Sequence, residues 1–204
     1  MDSIIFDLDG TLWDPLDVVT EAWNSVLAKH EEQLLSRDDI KGVMGLQHQE
    51  IGDKLFPHFS EEKHREVADQ FSEVECRRLS NEGGRLYEGV EAVLDKLSEK
   101  YDLYIVSNCQ EGYIESFYKY HGLDKHFLDF ENAGRTGLSK GENIKLVMER
   151  NNLSNPVYVG DTTGDQQAAK AAGVPFVYAQ YGFGEVDEFD HVISEFEELL
   201  ALFD

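Results

Sequence analysis

Positive charge is what this sequence has least of: 18 Lys and Arg stand against 41 Asp and Glu in 204 residues, a formal net charge of -23. Such a chain repels the backbone of a nucleic acid and the anionic face of a membrane, so neither is an expected partner. It also sets a condition on any anionic ligand, which is held only where a divalent cation, a lysine or aligned backbone amides offset the field locally. Cysteine is scarce too. Cys76 and Cys109 lie far apart, form no CxxC pair and share no zinc-ligand spacing with the seven histidines, so a reducing compartment suits both. No apolar run approaches the roughly 20 residues that span a bilayer. Met1 leads almost directly into Ile4, Ile5 and Phe6 without the basic stretch and cleavage site of a signal peptide, and a cytoplasmic protein is expected. The hydrophobic content of 41% is enough for a full core in a chain of this length.

Short apolar runs rich in β-branched and aromatic residues, each bounded by turn residues, recur at Ser3 to Leu8, Asp102 to Ser107, Pro156 to Gly160 and Pro175 to Ala179. Phe127 to Phe130 and His191 to Ile193 are weaker strand candidates. Helical spacing lies between them, over Val90 to Lys100, Gly112 to His121, Glu142 to Asn151 and Asp165 to Ala172. Ser194 reads as the N-cap of a last helix ending near Leu202. Strand and helix in alternation predict an α/β fold with a doubly wound parallel sheet.

From about Pro15 to Gly84 the alternation stops. Val18, Val19, Ala22, Trp23, Val26 and Leu27, then Val67, Phe71, Val74 and Leu79, repeat at helical spacing with no strand between. This predicts an all-helical insertion, with residues 15–84 as one domain and residues 1–14 and 85–204 as the α/β domain. The TLWDP segment and Gly83–Gly84 supply its hinges. Ser60 is the expected N-cap of the charged helix that starts at Glu61.

Two acidic clusters carry the chemistry. The first strand runs into Asp7, Leu8, Asp9, Gly10 and Thr11, and a later one runs into Gly160, Asp161, Thr162, Thr163, Gly164 and Asp165. Two strands of one parallel sheet that deliver carboxylates to the same edge build a hard oxygen-ligand site suited to Mg²⁺. A third strand ends in Ser107 and Asn108, a hydroxyl and an amide for a phosphoryl oxygen. Lys140, just before the Glu142 helix, offers a fixed positive charge.

In order, FDLDGT, VSN, SK and GDTTGD resemble the four motifs of the haloacid dehalogenase (HAD) superfamily, and the resemblance extends over essentially the whole chain. It implies a Rossmann-like core with an inserted helical cap, similar to phosphoglycolate phosphatase and β-phosphoglucomutase-like members. It implies that Asp7 is the nucleophile, that Asp9 is the general acid and base, and that Ser107 and Lys140 hold the transferring phosphoryl group. Mg²⁺ would be held by Asp7, Asp9 through its carbonyl, Asp161 and Asp165. An acid at position 9 favours phosphate-ester chemistry over carbon-halogen cleavage, so the expected activity is Mg²⁺-dependent hydrolysis of a small phosphorylated metabolite. A sugar phosphomutase and a non-catalytic phosphate-binding regulator stay open, as do a monomer and a homodimer.

Gly10, Thr11 and Asn108 are candidate substrate contacts beside the motifs. Trp13 lines the pocket or packs at the domain junction. Gln47, His48 and Glu50 fall where related caps present a substrate-reading loop, or else begin a solvated helix. Cys109, directly after the serine motif, sits close to the site or reads as a small apolar filler beneath the sheet edge.

Overall fold

The computed structural model describes residues 1–203. The strands are β1 (Ser3–Phe6), β2 (Trp13–Asp14), β3 (Arg85–Leu86), β4 (Asp102–Ser107), β5 (Phe127–Asn132), β6 (Pro156–Gly160), β7 (Phe176–Ala179) and β8 (His191–Ile193). Six of them form one parallel sheet in the order β5-β4-β1-β6-β7-β8. The helices are α1 (Leu16–Leu27), α2 (Arg37–Lys41), α3 (His48–Leu55), α4 (Glu61–Glu82), α5 (Val90–Leu97), α6 (Tyr113–His121), α7 (Ala133–Thr136), α8 (Lys140–Asn151), α9 (Thr163–Ala172) and α10 (Glu198–Leu202).

Continuous apolar strands are what a sheet covered on both faces requires, because successive side chains point to opposite sides. Ile4, Phe6, Leu103, Ile105, Val157 and Val159 enter one core with residues of α5, α6 and α10. Ile5, Tyr104, Val106 and Tyr158 alternate with them and enter a second core with Ile144, Val147, Ala168 and Ala169 of α8 and α9. The chain is thus an α/β protein with a doubly wound, Rossmann-like sheet and a helical insertion.

The insertion runs from α1 to α4 with no strand between them. Trp23 stacks on Phe71 with ring centroids 4.7 Å apart, which ties α1 to α4. Ser60 caps α4, its hydroxyl accepting from the Lys63 amide at 3.2 Å. Both chain crossings are more ordered than hinge residues suggest. β2 and β3 pair antiparallel as a two-stranded ribbon, Trp13 opposite Leu86 and Asp14 opposite Arg85. Strands of two residues carry too little periodicity to be read from sequence.

Two boundaries differ from expectation. Ser194 does not cap the last helix: its amide donates to Glu198 Oε2 at 2.8 Å, and α10 begins only after Glu197. Lys140 does not precede its helix but opens it. Ser139 is the N-cap, in a reciprocal capping box with Glu142, and this places Lys140 at the first helical position.

Candidate active site

β1 lies between β4 and β6, with Phe6 opposite Ile105 on one side and Val159 on the other. The Asp7 amide extends that ladder by donating to the Val159 carbonyl at 2.8 Å. Register alone therefore brings the ends of three strands, carrying Asp7, Ser107 and Asp161, to one edge of the sheet. Open α/β sheets bind ligands at that edge.

Carboxylate oxygens of Asp7, Asp161 and Asp165 all lie within 4.8 Å of one another, and the three residues are 2%, 0% and 0% exposed. Lys140 bridges two of them, Nζ donating to Asp7 Oδ1 at 3.0 Å and to Asp165 Oδ1 at 2.5 Å. Burial, then the charges of Asp165 and neighbours, pushes the Asp7 carboxyl up to about 7. Burial, then Asp165 and Asp7, raises Asp161 well above the carboxylate range. Burial by itself would lower Lys140, but the Asp165 and Asp7 charges outweigh it and hold the ammonium above its ordinary value.

Asp165 is fully engaged by the protein. Its Oδ2 accepts from the Asp161 and Thr162 amides and the Thr162 hydroxyl, as the carboxylate of the capping box that starts α9. Asp161 is different. The Phe183 amide donates to its Oδ2 at 2.7 Å, while its Oδ1 is buried without any hydrogen-bond partner. A buried oxygen left over beside two other carboxylates is what a cation site needs. The donor set, all hard oxygen, fits Mg²⁺ at Asp7 and Asp161, with Asp165 holding the lysine and supporting the site from behind.

Gly10 makes this approach possible. Its φ is +80°, and a Cβ there would stand 2.1 Å from Asp161 Oδ2. Gly10→Ala is expected to cost about 2 to 5 kcal/mol, from the left-handed backbone and the overpacking together. Thermal unfolding checks this; an unchanged Tm would mean that the loop can move away freely.

Asp9 is set by two donors on one oxygen. Trp13 Nε1 and Tyr113 hydroxyl donate to Oδ1 at 2.7 and 2.9 Å, leaving the other oxygen for a proton. Burial raises the carboxyl to about 6 although both donors pull it down. A carboxyl poised near neutral pH is suited to giving and taking a proton.

Over these residues lies a small cavity of about 40 Å³, which Asp7, Asp9, Ser107, Asn108 and Cys109 line from the sheet. Glu75 and His48 are among the residues that line it from the insertion. Trp13 does not line it: the indole is fully buried, packed edge-on against Tyr113 and Phe117, and touches the site only through Asp9. Thr11 is also fully buried, its carbonyl accepting from the Tyr181 hydroxyl. Asn108 Nδ2 donates to the Gly45 carbonyl at 2.8 Å, so its amide tethers the insertion over the sheet. His48 reaches the cavity and Gln47 does not; the Gln47 side-chain Nε2 donates to the Leu138 carbonyl over 3.5 Å. Glu50 caps α3 by accepting from the Gln47 amide at 2.9 Å. Cys109 lies close to the site, lining the cavity, and also packs against the main hydrophobic core.

Sequence reading missed Tyr113, Gln110 and Glu75. Tyr113 carried no signal. Glu75 did carry one: it sits four residues from both Phe71 and Leu79, a carboxylate in the middle of the apolar stripe of α4, and it is 4% exposed.

A sequence profile of the haloacid dehalogenase-like hydrolase family matches residues 4–179. The chain is 28% identical over 208 residues to a phosphoglycolate phosphatase of Rhodobacter capsulatus, covering 98% of this chain and 94% of that protein. It is 26% identical over 196 residues to a 5'-nucleotidase of Pseudomonas aeruginosa, covering 91% and 86%. Its fold superposes on a haloacid dehalogenase-like hydrolase of Streptococcus pneumoniae with a TM-score of 0.88 at 21% identity, over 100% of this chain and 99% of that one. The profile spans most of the chain and includes both acidic strand ends, so this protein belongs to the haloacid dehalogenase-like hydrolase family.

Proposed function

We propose that the protein is a Mg²⁺-dependent phosphatase that hydrolyses a small phosphorylated metabolite through an aspartyl phosphate on Asp7. The arrangement that carries this reading is Asp7 bonded to a buried lysine, beside an orphaned Asp161 oxygen and within one cavity with a two-donor Asp9. The phosphatase and nucleotidase names among its relatives agree with phosphate-ester chemistry.

In the first half-reaction an Asp7 carboxylate oxygen bonds to phosphorus as the ester P–O bond breaks, and Asp9 gives its proton to the departing oxygen. In the second, Asp9 takes a proton from water, the water oxygen bonds to phosphorus, and the Asp7–phosphorus linkage breaks to release phosphate. Lys140 fixes the Asp7 rotamer and, with Ser107, offsets charge on the equatorial oxygens. A Mg²⁺ ion held by Asp7, Asp161 and the Asp9 carbonyl, with support from Asp165, would neutralise charge shared between nucleophile and phosphoryl group. Residues 15–84 act as a cap: a cavity of about 40 Å³ admits a substrate only when they swing away, and closing them excludes bulk water. Among the described residues no helix is long and apolar enough to cross a membrane.

Metal binding and pH should be linked. Asp7, held up to about 7 by burial and neighbouring charge, must lose its proton to become a ligand. Mg²⁺ at about 100-fold above Kd should therefore stabilise the fold by roughly 2.7 kcal/mol at pH 8, and distinctly less at pH 5.5. Thermal unfolding with and without Mg²⁺ after EDTA treatment reads this. An equal effect at both pH values, or full turnover without metal, counts against the assignment. Isomerised sugar phosphate without phosphate release, followed by phosphorus NMR, would identify a mutase instead.

A further inference from the structure

The chamber over Asp7 and Asp9 is uneven in charge. Lys140 serves the phosphoryl end, but no lysine or arginine lines the rest of the cavity. What faces the leaving group is Glu75, with Oε2 accepting from Gln110 Nε2 at 2.7 Å, and Gln110 Oε1 in turn meeting His48 Nε2 at 3.1 Å. Burial pushes the Glu75 carboxyl up to about 8 against the pull of Gln110 and Trp23, and no cation is among the groups acting on it. Burial penalises the ionised form of this carboxyl, and a hydroxyl or ammonium donor on the leaving group would restore it, whereas a second anion there would meet no lysine or arginine.

We propose that Glu75, positioned by Gln110 and His48, selects phosphomonoesters whose leaving group has a hydroxyl or ammonium donor and no second negative charge near the ester oxygen. The proposal rests on the phosphatase reading and narrows it. Monophosphates of polyols, sugars or amino alcohols carry such donors and no second negative charge. Esters with an adjacent carboxylate or second phosphate would bury that charge unpaired, opposite another carboxyl. Selection applies close to the ester oxygen only. Past Trp23, His48 and Ile51, which both spaces share, a wider cavity of about 560 Å³ opens inside the insertion, and there Arg65 is available.

Three esters of similar size differ mainly in charge: 2-hydroxyethyl phosphate, phosphoethanolamine and phosphoglycolate. With wild-type protein and Mg²⁺, kcat/KM for the first two should exceed that for phosphoglycolate by about 10-fold or more, the ratio that roughly 1.4 kcal/mol of discrimination gives. Glu75→Gln keeps the shape and should bring the three within about 3-fold of one another, by improving phosphoglycolate and impairing phosphoethanolamine. Wild-type preference for phosphoglycolate, or a variant that slows all three equally, overturns the proposal. Calorimetry of the Asp7→Asn protein with Mg²⁺ and the same esters gives the order of affinities without turnover, and it decides the charge question even if Glu75→Gln does not fold. If wild type hydrolyses none of the three and no p-nitrophenyl phosphate either, the phosphatase reading fails, and the calorimetric order still supports or overturns the selection by charge.

Discussion

Asp7→Asn is expected to abolish phosphate release from every ester the wild type accepts, by about 10⁴-fold or more, with little effect on the fold. The amide is nearly isosteric but is a far weaker nucleophile, and one of its two positions no longer ligates a cation. The substitution also removes a negative charge from a cluster of three buried carboxylates, two of which share one lysine. The metal-free variant should therefore be as stable as wild type or more so. Steady-state turnover with contaminating phosphatase excluded, beside thermal unfolding, checks both halves. A variant that loses activity only in proportion to a lost fold would remove the argument for covalent catalysis. A variant that turns over robustly would remove Asp7 from the chemistry altogether.

Lys140→Met should be the most destabilising change at the site. Removing one partner of a buried ion pair leaves the other uncompensated, at a cost of about 3 to 5 kcal/mol, which in a chain of this size lowers Tm by roughly 6 to 20 °C. The loss should depend on pH, with a definite sign. Asp7 is already held up to about 7, and Asp161 is raised well above its ordinary value; without the ammonium both move higher. A carboxyl whose folded value lies above its unfolded one binds more protons when folded, so its contribution to stability falls as pH rises between the two values. The Tm gap between wild type and variant should then widen from pH 5 to pH 8 in the absence of metal. Turnover should fall with it if Lys140 acts as proposed, by offsetting charge on the phosphoryl oxygens. A gap that narrows with rising pH would show that Lys140 is not the group holding these carboxylates ionised.

How far the site could be read from the chain depends on the distance over which each residue acts. Asp7, Asp9, Asp161 and Asp165 were legible because a strand followed by an acidic turn is a local pattern, and parallel strands present their ends at a common edge. Lys140 was legible as a cation near that edge. Its place as the first residue of α8, where it bridges Asp7 and Asp165, follows from the Ser139 capping box. Trp13 had two readings, pocket wall or junction packing, and the structure gives the junction, with the indole N–H turned to Asp9. The expected Ser194 cap failed because the preceding turn continues to Glu197, and a serine before an acidic run looks the same in sequence whichever residue caps.

By itself, then, the sequence determined the class of the fold and the acidic residues of the site, since both follow from period, turn chemistry and strand order. Only the tertiary structure decided which insertion residues face those carboxylates. Glu75 and Gln110 are 35 positions apart and His48 is 62 from Gln110, and no local pattern links residues that meet only when α3 and α4 close over the sheet. An edge with one bridging lysine and a facing wall without lysine or arginine are properties of that packing. Asp7 was therefore readable in the chain as a carboxylate at a strand end. That Lys140 bridges it to Asp165, and that Glu75 lines the same cavity, was not, because folding alone brings these residues together.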